Sequence, residues 1–144
     1  GIKKRVWVKM YTVGLYHNES TTDTDKIIRT TKPMGVKIKI LSEFLPKTKY
    51  VSILRKGFKK SIQNSTKPIE AKIDYFLSLV DKNFKRGDTC KILYHPDTGV
   101  KVYIDDKLKG VIKGDEFRHA LWGIWLDDQC ADKELKKDLI ANIK

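Results

Sequence analysis

Inward and outward positions alternate with period two over two consecutive stretches late in the chain, and a third strand-like run follows them. Cys90, Ile92 and Tyr94 alternate with Lys91 and Leu93, then Val100, Val102 and Ile104 with Lys101 and Tyr103, and a shorter run spans Leu108 to Ile112. Such alternation gives each strand one buried side. His95-Pro96-Asp97-Thr98-Gly99 supplies turn residues between the first two runs, which makes a β-hairpin, and Asp105-Asp106-Lys107 turns the chain into the third. Gly110 in that run predicts a bulge or a close backbone approach. After Gly114 the period lengthens: Phe117, Ala120, Leu121, Ile124 and Trp125 fall on one helical stripe, and Asp115 and Glu116 suit the dipole of its first turn. The pattern is an antiparallel meander with a helix lying back across it.

The earlier chain reads as support for this unit. Arg5 to Tyr16 is rich in Val and aromatic residues and nearly free of breakers, which predicts one long strand. In a regular strand Lys3, Arg5, Trp7, Lys9 and Tyr11 share a face that mixes charge with rings, while Val6, Val8, Met10 and Thr12 face a packed layer. Thr22-x-x-Asp25 ahead of Ile27-Ile28 is a weak helix start. Val36, Ile38 and Ile40 alternate with Lys37 and Lys39 in a second strand running to about Phe44, and Pro46 ends it. Thr48 is positioned to cap a helix whose stripe is Val51, Leu54, Phe58 and Ile62, with Arg55, Lys56, Lys59 and Lys60 opposite. Gln63 to Lys67 is polar and linker-like; Pro68 suits the first turn of a further helix with Ile69, Ile73, Phe76, Leu77 and Val80 inward. Leu135, Leu139 and Ile143 step by four in a terminal helix over Asp132 to Ile143. Together these elements predict an α+β fold with a mainly antiparallel sheet covered on one face by helices.

At 144 residues the chain fits a single domain over 1–144, large enough to bury roughly two-thirds of its unfolded surface. No apolar run approaches the ~20 residues of a membrane span. Strand-like residues begin almost at once after Gly1, so upstream sequence is expected to have been removed or left out, and a signal peptide is unobservable. A net charge of +12 favours acidic partners. The basic residues are nevertheless spread along the chain, from Lys3-Lys4-Arg5 to Lys136-Lys137, as on a solvated surface rather than a dedicated polyanion site. Nothing in this pattern specifies nucleic acid.

Two cysteines define no framework and have no metal-type spacing with His17, His95 or His119. Cys90 sits on the apolar parity of its strand and reads as a small core residue; whether it pairs with Cys130 is left open by sequence. There is no nucleophile elbow, phosphate loop, or cluster of His and carboxylates. No cofactor and no catalytic residue is expected from the residues themselves.

One ordered set of residues carries a resemblance. Arg86-Gly87-Asp88, Tyr94-His95-Pro96-Asp97-Thr98-Gly99, Gly110-x-Ile112-x-Gly114-x-x-Phe117 and Leu121-x-x-Ile124-Trp125-Leu126, continued by Ala131-Asp132-Lys133-x-Leu135-Lys136 and by Val8-x-x-Tyr11-x-x-Gly14-Leu15-Tyr16, resemble the chalcone isomerase-like family. The set is most similar to its bacterial, non-catalytic branch and covers nearly the whole chain.

The resemblance implies an open-faced β-sandwich with a ligand cleft between the long sheet and the helical layer. It also implies that turnover groups are missing. The family's strand threonine falls at Tyr11, its helix asparagine at Gly57 and its late Ser/Thr near Gly123, while its tyrosine at the helix entry matches Tyr50. What remains is similar to the fatty-acid-binding members, which hold a carboxylate with a basic residue and a strand tyrosine; here that pair is Lys3 and Tyr11, with Arg5 as the fallback cation. Trp125 is expected in the core, and Trp122, off the stripe, is a candidate cleft wall. The implied function is non-enzymatic binding of a fatty acid or similar apolar carboxylate, in a periplasmic or otherwise exported protein. The alternative is an isomerase or lyase acting on an enone-like or flavonoid-like substrate.

Overall fold

The computed structural model describes residues 4–8, 10–21, 23–61 and 69–126, the side chains of 4–8 excepted. In chain order the elements are β1 (Lys4–Val8), β2 (Tyr11–Tyr16), α1 (Thr24–Ile28), β3 (Met34–Ile40), α2 (Lys47–Ser61), α3 (Glu70–Ser78), β4 (Thr89–His95), β5 (Gly99–Ile104), β6 (Lys107–Ile112) and α4 (Asp115–Leu126). All six strands form one antiparallel sheet in the order β1-β2-β3-β4-β5-β6.

The late meander follows its sequence pattern closely. Asp105 and Asp106 take φ of 50° and 67°, the left-handed pair of a two-residue hairpin turn. Gly99, at φ 94°, closes the preceding turn against the Ile112 carbonyl, to which a β carbon would approach within 2.8 Å. The register slips between Val102 and Tyr103, so Lys109 is the extra residue of a bulge. Gly110 faces α3 there, where an added β carbon would meet Tyr75 Oη at 2.7 Å and the Leu79 methyls at 2.9 Å. Both expectations for Gly110 hold.

The inward parity of the sheet builds the core: Val13, Val36, Ile38, Ile40, Ile92, Val102 and Ile104 are all buried. Helices α2, α3 and α4 meet through the rings of Phe58, Phe76 and Phe117, whose centroids lie 5.6 to 5.8 Å apart. Gly57 lets α2 close on α4, since a β carbon would reach Ile124 Cγ2 at 2.7 Å. Of the α3 stripe, Ile69, Ile73, Phe76, Leu77 and Val80 are buried as expected. Helix α4 goes beyond its stripe, because Arg118, Trp122 and Gly123 are buried too. The Arg118 guanidinium lies 4.2 Å over the Tyr94 ring and donates to the Thr30 carbonyl and the Asp115 carboxylate, which ties α4 to β4 and to the end of α1.

Four expectations are corrected. The predicted long strand from Arg5 to Tyr16 is a hairpin: the chain reverses between Val8 and Tyr11, which pair with each other. Lys9 and Met10 are not turn-forming types, so the reversal leaves no mark in composition. Parity counted from Lys3 through to Tyr11 therefore carries no meaning, and register instead sets Arg5 opposite Val13. The second strand stops at Ile40 rather than Phe44, where Leu41 and Ser42 turn their N–H groups to the Met10 carbonyl. Helix α1 is capped by Asp23, which accepts from Asp25 and Lys26 N–H, and α2 opens at Lys47 ahead of Thr48, with the Pro46 carbonyl accepting from Lys49 and Tyr50. Ile62, Gln63 to Lys67, Pro68, Cys130 and the terminal helix over Asp132 to Ile143 lie outside the described residues.

Candidate functional site

At one end of the inner sheet face, register puts Tyr11 beside Ile40 and Cys90 beside Ile38, so a phenol and a thiol from β2 and β4 flank β3 on the side facing the helices. Tyr50, in the first turn of α2, comes down onto them. It is 2% exposed, and its ring packs on Phe84 with centroids 4.7 Å apart and planes tilted 49°. The short pairing of Leu45 with Phe84 fixes the start of α2 over this spot.

The chemistry is that of donors out of water. Burial, with smaller effects of the Cys90 thiol and the Tyr11 phenol, pushes the Tyr50 hydroxyl well above the ordinary phenol range. Burial likewise pushes the Cys90 thiol up to about 11, against the opposing influence of the Tyr50 hydroxyl. Although Tyr50 lies beside Cys90, its hydroxyl has no partner in hydrogen-bond geometry, and neither has the indole Nε1 of Trp122 on α4. Native proteins pair nearly all such atoms, so two buried donors without an acceptor mark this layer. Cys90 is a free thiol.

The sequence matches the chalcone isomerase-like family over residues 1–141. The chain belongs to the chalcone isomerase-like family. No curated protein matches it. Among solved structures it is similar to a fatty-acid binding protein of Arabidopsis thaliana, at 14% identity and a TM-score of 0.71, over 99% of this chain and 85% of that one. At that identity the likeness shows the fold: an α+β, open-faced antiparallel sheet with helices on one side, as in other chalcone isomerase-like proteins.

Of the five candidate ligand residues, the structure brings Tyr11 and Tyr50 together, and it seals Trp122 in the helical layer at 0% exposure. Lys3 and the Arg5 side chain lie outside the described residues. Two neighbours went unseen in sequence. Strand parity shows that Cys90 is buried but not that α2 places a phenol over it, and Phe84 stands in a polar stretch with no periodicity to reveal the ring it supports. At Gly57, Ile124 occupies the space a side chain would need.

Proposed function

We propose that this chain is a non-enzymatic binding protein that holds a fatty acid or similar apolar carboxylate between the inner sheet face and the helices. One observation carries the reading: the Tyr50 hydroxyl is a fully buried donor beside Tyr11 whose neighbouring acceptor among the described residues is the weakly accepting Cys90 thiol, out of good hydrogen-bond geometry, in the layer where the family places its cleft. A carboxylate supplies a stronger acceptor, and a hydrogen bond to a charged group contributes about 1.5 to 3 kcal/mol. Lys3, with Arg5 as its alternative, is the proposed cation, and the acyl tail adds about 0.8 kcal/mol per buried CH₂.

Absence of turnover fits the same residues. A phenol held protonated by burial is no general base at neutral pH, and contact with Ile124 fills the Gly57 position. The reading includes an exported, periplasmic setting, where burial shields the Cys90 thiol from exchange.

Tyr50→Phe separates ligand binding from stability. Removing an unpaired buried hydroxyl should leave the ligand-free protein as stable as the parent, or up to about 1 kcal/mol more stable, in thermal denaturation. Dodecanoate affinity by calorimetry should fall roughly tenfold or more. Unchanged dodecanoate affinity in Tyr50→Phe, or turnover of chalcone-type enones by the parent, would sink the proposal.

A further inference from the structure

Side chains alternate between the faces of a strand, so the outer face of the sheet carries chemistry independent of the cleft. Register aligns Tyr16, Gly35, Leu93, Lys101 and Val111 in one row across β2 to β6, and Gly14, Lys37, Lys91, Tyr103 and Leu108 in the next. Four of these are large and exposed: Tyr16 at 41%, Leu93 at 41%, Leu108 at 52% and Val111 at 39%. Gly35 is the floor between Tyr16 and Leu93; a β carbon there would come within 2.7 Å of Leu93 Cδ2, so Leu93 lies across it. The 17–18 segment and Pro33 form one wall and the turn at 95–98 the other, bounding a groove of about 890 Å³. That volume is in the range of small-molecule sites.

The polar groups lining the groove are mostly donors. His17 Nδ1 accepts the Glu19 N–H at 3.0 Å, and His95 Nδ1 accepts the Asp97 N–H at 3.1 Å. Each neutral imidazole therefore carries its proton on Nε2 and offers it as a donor. Burial lowers the pKa of His17, which favours that neutral form. Lys101 adds an ammonium, and none of the described carboxylates pairs with Lys101 or Lys37, whereas Lys91 is engaged by Asp106 at 2.6 Å. Asp97 also lines the groove but is 85% exposed at its rim. A second copy is a poor occupant, because face-to-face docking sets one row of lysines against another.

We propose that this groove is a second ligand site, for a flat apolar molecule bearing one anionic group. Its body lies on Tyr16, Leu93 and Tyr103, and its carboxylate or sulfonate is held by Lys101 on β5 and the imidazole N–H of His95 at the end of the neighbouring β4. The assignment does not depend on the cleft.

The test is a titration of the ¹⁵N-labelled chain with 2-naphthalenesulfonate, followed by amide chemical shifts. Perturbations should centre on Tyr16, Gly35, Leu93, Lys101 and Tyr103. Lys101→Glu should weaken binding by about tenfold, and Leu93→Asp, at an exposed position that leaves the fold intact by circular dichroism, should abolish it. Shifts centred instead on Tyr50 and Trp122, no shifts at millimolar probe, or equal affinity in both variants would each overturn the assignment.

Discussion

At the scale of single residues, burial makes Cys90 and Tyr50 pH-sensitive in the same direction. The folded chain holds the Cys90 proton up to about pH 11, while an exposed thiol releases it near 9. Unfolding thus releases a proton between those values, so this contribution to stability is complete below pH 9 and is lost as pH rises towards 11. Two pKa units correspond to about 3 kcal/mol. Tyr50, also raised, extends the loss in the same sense to higher pH. Urea denaturation at pH 8, 9.5 and 10.5 should show the parent weakening steeply and Cys90→Ala, less stable at pH 8, weakening much less; a parent indifferent to pH would contradict the sign argument. Half of this was legible in sequence. Parity placed Cys90 in the core, but its encounter with Tyr50 depends on where α2 lands, which no local pattern encodes.

Among elements, the contact of α2 with α4 is set by Gly57. Intrinsic propensity makes Asn slightly better than Gly in a helix. A side chain at this position nevertheless meets Ile124 Cγ2, and the two helices must part. Gly57→Asn should therefore lower stability by about 1 to 3 kcal/mol in guanidinium denaturation, and a neutral result would show that the helices have room. The helices and the late meander were legible because α3 and α4 keep a 3.6-residue stripe and β4 and β5 alternate in burial, with turn residues before and after β5. The β1–β2 reversal was not, since Val8 to Tyr11 lacks Gly, Pro, Asn and Asp and the pairing partner of β2 decides where the chain turns. Trp122 and Arg118 escaped the stripe because α4 is enclosed on several sides: α1, α2 and β4 each take part of its surface.

For the molecule as a whole, strand order equals chain order, and that has a kinetic consequence. β1–β2, β4–β5 and β5–β6 are hairpins whose ends meet cheaply, and β2–β3 spans only α1. The seam of β3 with β4 alone waits until the segment containing α2 and α3 has been gathered, and loop closure on that scale is what slows nucleation. Ile38→Val, on that seam, should mainly retard refolding, while Ile112→Val, on the outer strand, should mainly hasten unfolding; stopped-flow chevrons read the two limbs separately. Refolding would then be timed by a single zipper between residues far apart in the chain, with the hairpins already waiting on either side of it.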